Sequence, residues 1–356
     1  MTYQGELQHI GRHIGSLTPA ASRAAGLGLA ALADQVLPDP PNRWHPVAWF
    51  GTWAGWLEAR MWSDSRMRGA TFTIVALAPV AALGLATEVA THRCPAAHAL
   101  ATALAGWVVI GAGSLSREGE LMAGRLDEGD LPGARGRLSH LCGRLPDGLD
   151  EPELARATVE SLAENTADSA IASLWWGALG GIPGMLVHRA TNTLDAMVGY
   201  RSTRYARFGT ASARLDDLLD LAPARLTAAL ACALASTVGG RPAATARIVL
   251  RDAHDHPSPN GGWCESAWAG ALGVQLGGHN VYPAGVTEER GLLGDGPRPR
   301  ALQVRRAAKL VRRVTLAGAG IAAASCLASS ALSWFSRGRD PQLPHTSREP
   351  NHGGNR

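Results

Sequence analysis

Carboxylates recur every four residues in Arg156-Ala-Thr-Val-Glu160-Ser-Leu-Ala-Glu164-Asn165-Thr-Ala-Asp168. On a helix, Glu160, Glu164 and Asp168 would share one face. Like charges at that spacing repel, by roughly a few tenths of a kcal/mol per pair, so a solvated acidic face is the bland reading. The segment runs directly into the apolar stretch Ala170–Val187. Carboxylates at a membrane boundary need a cation, a proton or an arginine partner. Mg2+, held by one or two carboxylates together with nucleotide phosphates, would meet that need.

Two more segments carry groups of the same chemistry. Asn192-Thr-Leu-Asp195-Ala-Met-Val-Gly-Tyr200-Arg201-Ser-Thr-Arg204-Tyr205 is followed by Arg214-Leu-Asp216-Asp217-Leu-Leu-Asp220 and Pro223-Ala-Arg225. The guanidinium groups of Arg201 and Arg204 are planar donors suited to phosphate or carboxylate. Asp216 and Asp220 would share a helical face, with Asp217 beside them. Spacing alone equally allows structural ion pairs bridging helices. His254-Asp-His256-Pro-Ser258-Pro-Asn260-Gly-Gly reads as a rigid turn with exposed backbone N–H groups, able to hold an anion. It lacks the Gly-Lys-Ser/Thr ending of a Walker A loop, so the phosphate signal is weak. Near the N-terminus, Asp39-Pro-Pro-Asn-Arg-Trp-His45-Pro cannot continue a helix. It would present His45 at an interface, where a lone histidine beside Trp44 and Trp49 is more often a packing residue than a ligand.

These groups need elements to position them, and the elements read as apolar helices. Gly69–Thr87, Pro95–Ser116 and Val314–Ser336 lack formal charge and are long enough to cross a bilayer, which takes about 20 apolar residues. They are rich in alanine and glycine, which suits close helix packing in lipid. Ala170–Val187 and Leu226–Gly240 are shorter. If the polar stretches Arg117–Ser169, His188–Arg225 and Arg241–Arg313 all face the cytoplasm, these two cannot each cross once. They are then re-entrant, paired, or buried within protein, and a soluble buried helix is the alternative for Ala170–Val187. Arg305, Arg306, Lys309, Arg312 and Arg313 precede the last span, placing its N-terminal side in the cytoplasm. The expected architecture is an all-α, polytopic integral membrane protein of the cell membrane, with long cytosolic loops and short or re-entrant helices. It spans residues 1–337, followed by a polar, disordered tail at 338–356.

Bulk properties agree. Charged residues make up 18% of the chain and hydrophobic ones 46%, the charged share lying below the roughly 25% of soluble domains. Mean hydropathy is only −0.03, as expected when apolar spans alternate with long polar stretches. The net charge of +4 comes almost entirely from arginine and shows no basic block interleaved with aromatics, which argues against nucleic-acid binding. Five scattered cysteines give neither a disulfide framework nor a Cys-x-x-Cys zinc pattern.

In order, these segments resemble the cobinamide-phosphate synthase family of cobalamin biosynthesis (CobD/CbiB). The resemblance runs from about Asp34 to Lys309. Its words include Asp39-Pro40…His45-Pro46-Val47, Val159-Glu160…Ala163-Glu164-Asn165-Thr166…Asp168, Asn192-Thr193-Leu194-Asp195…Met197-Val198-Gly199-Tyr200, Ala213-Arg214-Leu215-Asp216-Asp217, Pro223-Ala224-Arg225-Leu226 and Ser258-Pro259-Asn260. The resemblance implies a membrane ligase that condenses adenosylcobyric acid with 1-amino-2-propanol or its O-phosphate, using ATP and Mg2+. It further implies catalytic roles for Glu160, Glu164, Asp195, Asp216 and Asp217, with Glu164, Asp168 and Asp216 as Mg2+ ligands. His45, Asn165, Asn192, Tyr200, Arg201, Arg204, Arg214, His256, Ser258 and Asn260 would bind substrate. Other corrinoid-pathway enzymes or a second copy of the chain are the protein partners it suggests. Some positions depart: an aspartate commonly follows its Gly-Arg pair, whereas Leu145 follows Arg144 here and Asp147 stands two residues on; Ser169 and Ser173 stand where glycine and proline are usual, and Asp220 where asparagine is common. Two rival readings stay open, a permease with acidic groups at its midplane and a catalytically inactive partner in a corrinoid enzyme complex.

Overall fold

The computed structural model describes residues 19–200, 202–282 and 286–337. Arg201 and the tail from Gly338 lie outside the described residues. The chain is helical nearly throughout: α1 (Pro19–Val36), α2 (Pro46–Met61), α3 (Arg66–Thr91), α4 (Pro95–Ile110), α5 (Ala112–Asp127), α6 (Leu131–Leu138), α7 (Glu151–Asn165), α8 (Ala172–Val198), α9 (Thr210–Leu219), α10 (Leu221–Leu234), α11 (Pro242–Asp252), α12 (Gly261–Leu272) and α13 (Ala301–Arg337). Among the described residues, five runs are long and apolar enough to cross a membrane: Arg66–Thr91, Pro95–Asp127, Glu151–Val198, Leu221–Val238 and Ala301–Ser329. The polytopic helical architecture is borne out.

The runs begin and end where local chemistry dictates. Ser65 caps α3, its hydroxyl accepting the Arg68 N–H at 3.5 Å. Pro95 opens α4, where its missing N–H is harmless. The stretch after Pro95 bends at Gly111, a left-handed residue (φ 62°). Just beyond, the Gly113 N–H donates to Asp34 Oδ2 at 2.9 Å. A Cβ on Gly113 would sit 2.0 Å from the Asp34 carbonyl oxygen, so only glycine lets α5 meet the end of α1 this closely.

The two short apolar segments turn out to be parts of longer helices. Ala170–Val187 lies inside the 48-residue run Glu151–Val198, and Leu226–Gly240 overlaps the run ending at Val238. Charge alone made Arg117–Ser169 look like a loop, yet Glu151–Asn165 is a buried helix. Its acids and arginine pair with one another, so their charges are compatible with burial. The long run is interrupted twice, by a π-helical turn at Thr166–Ile171 and by a break at Gly181 (φ 64°, ψ −153°), two residues before Pro183.

The main core gathers Leu27, Ile110, Met122, Leu162, Trp268 and Val311 from six helices. A smaller cluster joins α2, α3 and α8, with the Phe72 and Phe208 ring centroids 5.1 Å apart. Outward faces are apolar as well: Ile74, Leu83, Leu85 and Val89 on α3 and Leu316, Ile321 and Leu327 on α13 are exposed, the surface that lipid would cover. Trp49 and Trp56 are exposed on α2, with the Arg60 guanidinium stacked 3.6 Å over the Trp56 ring. Aromatic rings beside basic groups are characteristic of the membrane–water boundary.

The helical expectation did not include a hairpin. Strands β1 (Leu276–Tyr282) and β2 (Val286–Leu293) pair antiparallel with an irregularity between Leu276 and Gly278. They lie within the stretch Arg241–Arg313 and deliver Arg290 and the Gly277 backbone to α7.

Candidate active site

The three acids of α7 and the π turn each meet a different environment. Glu160, fully buried, accepts the Gly277 N–H at 2.7 Å and pairs with Arg144 at 2.5 Å and Arg156 at 3.1 Å. Arg156 also donates to Asn280 Oδ1 at 3.0 Å, tying β1 to α7. Two guanidinium groups and a backbone donor offset the desolvation of one carboxylate.

One turn on, Glu164 joins His256 and Glu265. One ligating atom from each lies within 4.8 Å of the others. Arg290 Nη1 reaches Glu265 Oε1 at 2.8 Å and Glu164 Oε1 at 3.4 Å, while its Nε donates to Glu288 Oε2 at 2.8 Å. The His256 Nδ1 atom accepts the Ser258 N–H at 3.0 Å, which leaves Nε2 facing Glu265 Oε1 at 3.4 Å. Burial, then the charges of Glu160 and Glu164, push the Glu265 carboxyl up to about 7. Burial opposes the charge on His256, but the bond and charge of Glu265 prevail and hold its pKa above the ordinary value. Room for this trio comes from Gly261, where a Cβ would sit 2.8 Å from Glu164 Oε1.

Asp168 sits in the π turn, a feature common at functional sites. The wider turn swings it toward α9: it lies in electrostatic range of Asp220, Asp216, Glu164 and Asp195. Here His188 Nε2 is 2.8 Å from Asp220 Oδ1, and His188, Asp216 and Asp220 again offer ligating atoms within 4.8 Å of one another, all three buried. Burial, followed by the charges of Asp220 and Asp195, raises the Asp216 carboxyl well above the usual range. Burial and Asp217 push Asp220 up to about 8. Half-buried Arg189 is in range of Asp168, Asp39 and Asp216.

The site therefore has two ends joined by Glu164 and Asp168. Arginine balances the acids at the end of Glu160 and Glu265, whereas carboxylates crowd together at the end of Asp216. Asp195, on α8, and Asn192, near Asp216, belong to the acidic end. The three residues expected as a metal set are split. Asp216 stands with His188 and Asp220, Glu164 with His256 and Glu265, and Asp168 between the two groups.

Other expected residues have structural partners. Ser258 Oγ accepts the N–H groups of Asn260 (3.2 Å) and Gly261 (3.1 Å). The Asn260 side chain accepts from Arg225 and donates to the Asp217 carbonyl, both at 2.8 Å. These bonds fasten the turn to the end of α9. Asn165 donates to the Ser161 carbonyl at 2.9 Å. His45 caps α2 by accepting the Val47 N–H at 3.2 Å, and burial lowers its pKa despite Asp39. Arg204 pairs with Glu58 at 2.8 Å and stacks on Trp62, Tyr200 meets Tyr205 edge-on, and Arg214 and Asp217 are exposed on α9. Leu145 donates its N–H to the Val281 carbonyl, and Asp147 is exposed; Arg144 is the residue of that word that enters the site.

Sequence reasoning gave no role to Arg144, Arg156, Glu265, Arg290, His188 or Arg189. The i, i+4 spacing of Arg156 and Glu160 was a usable signal. Arg290, on a strand far along the chain, offered none.

A family model described as CobD/Cbib protein matches residues 27–311, a stretch containing every group of both ends. The chain belongs to the CobD/CbiB family. Among curated members, it is 46% identical over 303 residues to "Cobalamin biosynthesis protein CobD" of Mycobacterium tuberculosis (strain CDC 1551 / Oshkosh), covering 85% of this chain and 95% of that protein. A protein of the same name from Rhodobacter capsulatus is 42% identical over 271 residues, 76% of this chain and 85% of its own. That of Brucella anthropi is 38% identical over 288 residues, with 76% and 87% covered. No solved structure matches the chain.

Proposed function

We propose that this CobD/CbiB member acts in cobalamin biosynthesis as an amide-forming ligase. It would join a propionate of adenosylcobyric acid to 1-amino-2-propanol or its O-phosphate, with ATP converted to ADP and phosphate. One observation carries the reading: acids and guanidinium groups from three separate polar stretches meet in a single band along α7 and the π turn. A carboxylate does not condense with an amine unaided; its oxygen must leave as part of a better leaving group, and phosphoryl transfer from a nucleotide supplies one.

The residues present suit a cation as well as substrate. Asp216 Oδ1 and Asp220 Oδ2 are buried without a hydrogen-bond partner, as expected of carboxylates that await a positive ligand. Asp168 and Asp216, with Glu164 at the edge, would hold Mg2+, which when bound supplies positive charge against phosphate oxygens. Glu164, half-exposed between the two ends, would take the proton that the amine must lose. Exposed Arg204 and Arg214 would receive the phosphate or the corrinoid side chains.

The test is direct. Purified protein is incubated with adenosylcobyric acid, ATP, Mg2+ and either aminopropanol or its phosphate, and the amide product is sought by mass. Product with the mass of adenosylcobinamide or its phosphate is expected. Its absence, beside an active relative run in parallel, removes the ligase reading and leaves the permease or inactive-partner alternatives.

A further inference from the structure

The acidic end contains an imidazole that an Mg2+ site has little use for. His188 is completely buried, its Nε2 lies 2.8 Å from Asp220 Oδ1, and its Nδ1 has no hydrogen-bond partner. Asp220, 1% exposed, keeps Oδ2 unpartnered, and Asp216, 8% exposed, keeps Oδ1 unpartnered. One ligating atom from each of the three residues falls within 4.8 Å of the others.

Buried polar atoms in folded proteins find partners almost without exception. Two such carboxylate oxygens, Asp216 Oδ1 and Asp220 Oδ2, on residues that already converge with an imidazole, call for a ligand between them. The charge count points the same way. Asp168 and Asp195 add further carboxylates to the neighbourhood, and half-buried Arg189 is in range of Asp168 and Asp216. A bound dication would satisfy the two orphaned carboxylate oxygens and the excess charge together.

Donor type selects the ion. Mg2+ prefers six oxygens and retains its waters, whereas an imidazole nitrogen beside carboxylates suits first-row transition ions. Each residue also sits on a rigid support: His188 in the middle of α8, Asp216 on α9, and Asp220 at the end of α9, its N–H bonded to the Asp216 carbonyl at 3.0 Å.

We propose that His188, Asp216 and Asp220 form a second cation site, for a divalent transition-metal ion of the manganese class, which shares Asp216 with the Mg2+ that Asp168 and Glu164 would hold. The inference rests on reading the acidic end as a cation site, but it does not require the amide-forming reaction.

The experiment uses the full chain in detergent, stripped with chelator and loaded with Mn2+, without substrates. Electron paramagnetic resonance should show about one tightly held Mn2+ per chain, retained against a large excess of Mg2+, with nitrogen hyperfine coupling from the imidazole. His188→Gln should abolish that coupling and weaken Mn2+ at least about tenfold, the smaller end of the effects seen on altering metal-site residues. Asp220→Asn, the gentler change, should weaken Mn2+ similarly, and the Mn2+-induced rise in melting temperature should shrink in both variants. His256→Gln, which alters the trio around Glu164, should leave binding intact. No retained Mn2+ in the wild type, or loss through His256→Gln rather than His188→Gln, overturns the assignment. Neither outcome affects the amide assay, so the two proposals fail separately.

Discussion

Glu88, near the end of α3, accepts the Ile182 N–H through Oε2 at 2.9 Å, directly across the break in α8. Gly181 takes a backbone conformation (φ 64°, ψ −153°) that only glycine adopts readily. The interruption frees a donor inside an apolar run, and a freed donor in lipid must be satisfied by protein. Arg23 (2.6 Å) and His98 (3.1 Å) hold the other carboxylate oxygen in place. A Cβ at position 181 would sit 2.6 Å from Glu88 Oε2.

Gly181→Ala should therefore destabilise the protein by about 1–3 kcal/mol, the usual cost of a disfavoured backbone conformation. Gly180→Ala, beside open space, should melt with the wild type in detergent. Equal melting temperatures for the two variants would mean that the break is not enforced by this contact.

Glu160 is the anchor of the arginine-balanced end. Glu160→Gln would leave Arg144 and Arg156 buried without their shared counter-charge, a change that costs about 3–5 kcal/mol. The expected result is a large fall in melting temperature along with lost activity. A variant of wild-type thermal stability that had lost only turnover would move Glu160 from a positioning role to a chemical one.

The sequence displays the acids and hides their partners. Regular spacing made the stripe of Glu160, Glu164 and Asp168 visible, and long uncharged runs revealed the spans around Ala76 and Val314. The reach of the helix Glu151–Asn165 was obscured because its charges looked solvent-bound; their pairing with Arg144 and Arg290 depends on contacts across more than a hundred residues in the latter case. The π turn was equally invisible, since Thr166–Ile171 has ordinary helical composition. That one extra residue per turn decides that Asp168 faces Asp216 rather than continuing the stripe. His188 offered no pattern at all, because its partner Asp220 lies on a different helix.

A pH dependence follows from Asp34. Burial pushes its carboxyl up to about 6, against the hydrogen bonds from Gly113 and Gln35 and with help from the charge of Asp39. The folded state thus prefers the neutral acid. Its stabilisation is complete below the ordinary carboxyl value and is lost as pH rises through about 6. Asp34→Asn keeps a neutral acceptor for the Gly113 N–H, so its melting temperature relative to wild type should climb between about pH 5 and pH 7.5. A difference that stays constant over that range would show that Asp34 does not titrate there.

The trio of Glu164, His256 and Glu265 can be disturbed without touching any of its members. Gly261 opens α12 against them, and a Cβ there would stand 2.8 Å from both Glu164 Oε1 and His256 Cε1. Both atoms belong to side-chain ends, so Gly261→Ala should displace them by a fraction of an ångström and leave the packing of α12 intact. Catalytic geometry is less forgiving than packing, and misplacement on that scale can cost orders of magnitude in rate. Amide formation by Gly261→Ala should fall at least about tenfold, equivalent to roughly 1.4 kcal/mol of barrier, with little change in melting temperature. Gly124→Ala, on α5 beside open space, should keep wild-type turnover. If Gly261→Ala also keeps it, Glu164 and His256 do not contact the reacting groups, and the chemistry must be sought at the Asp216 end alone.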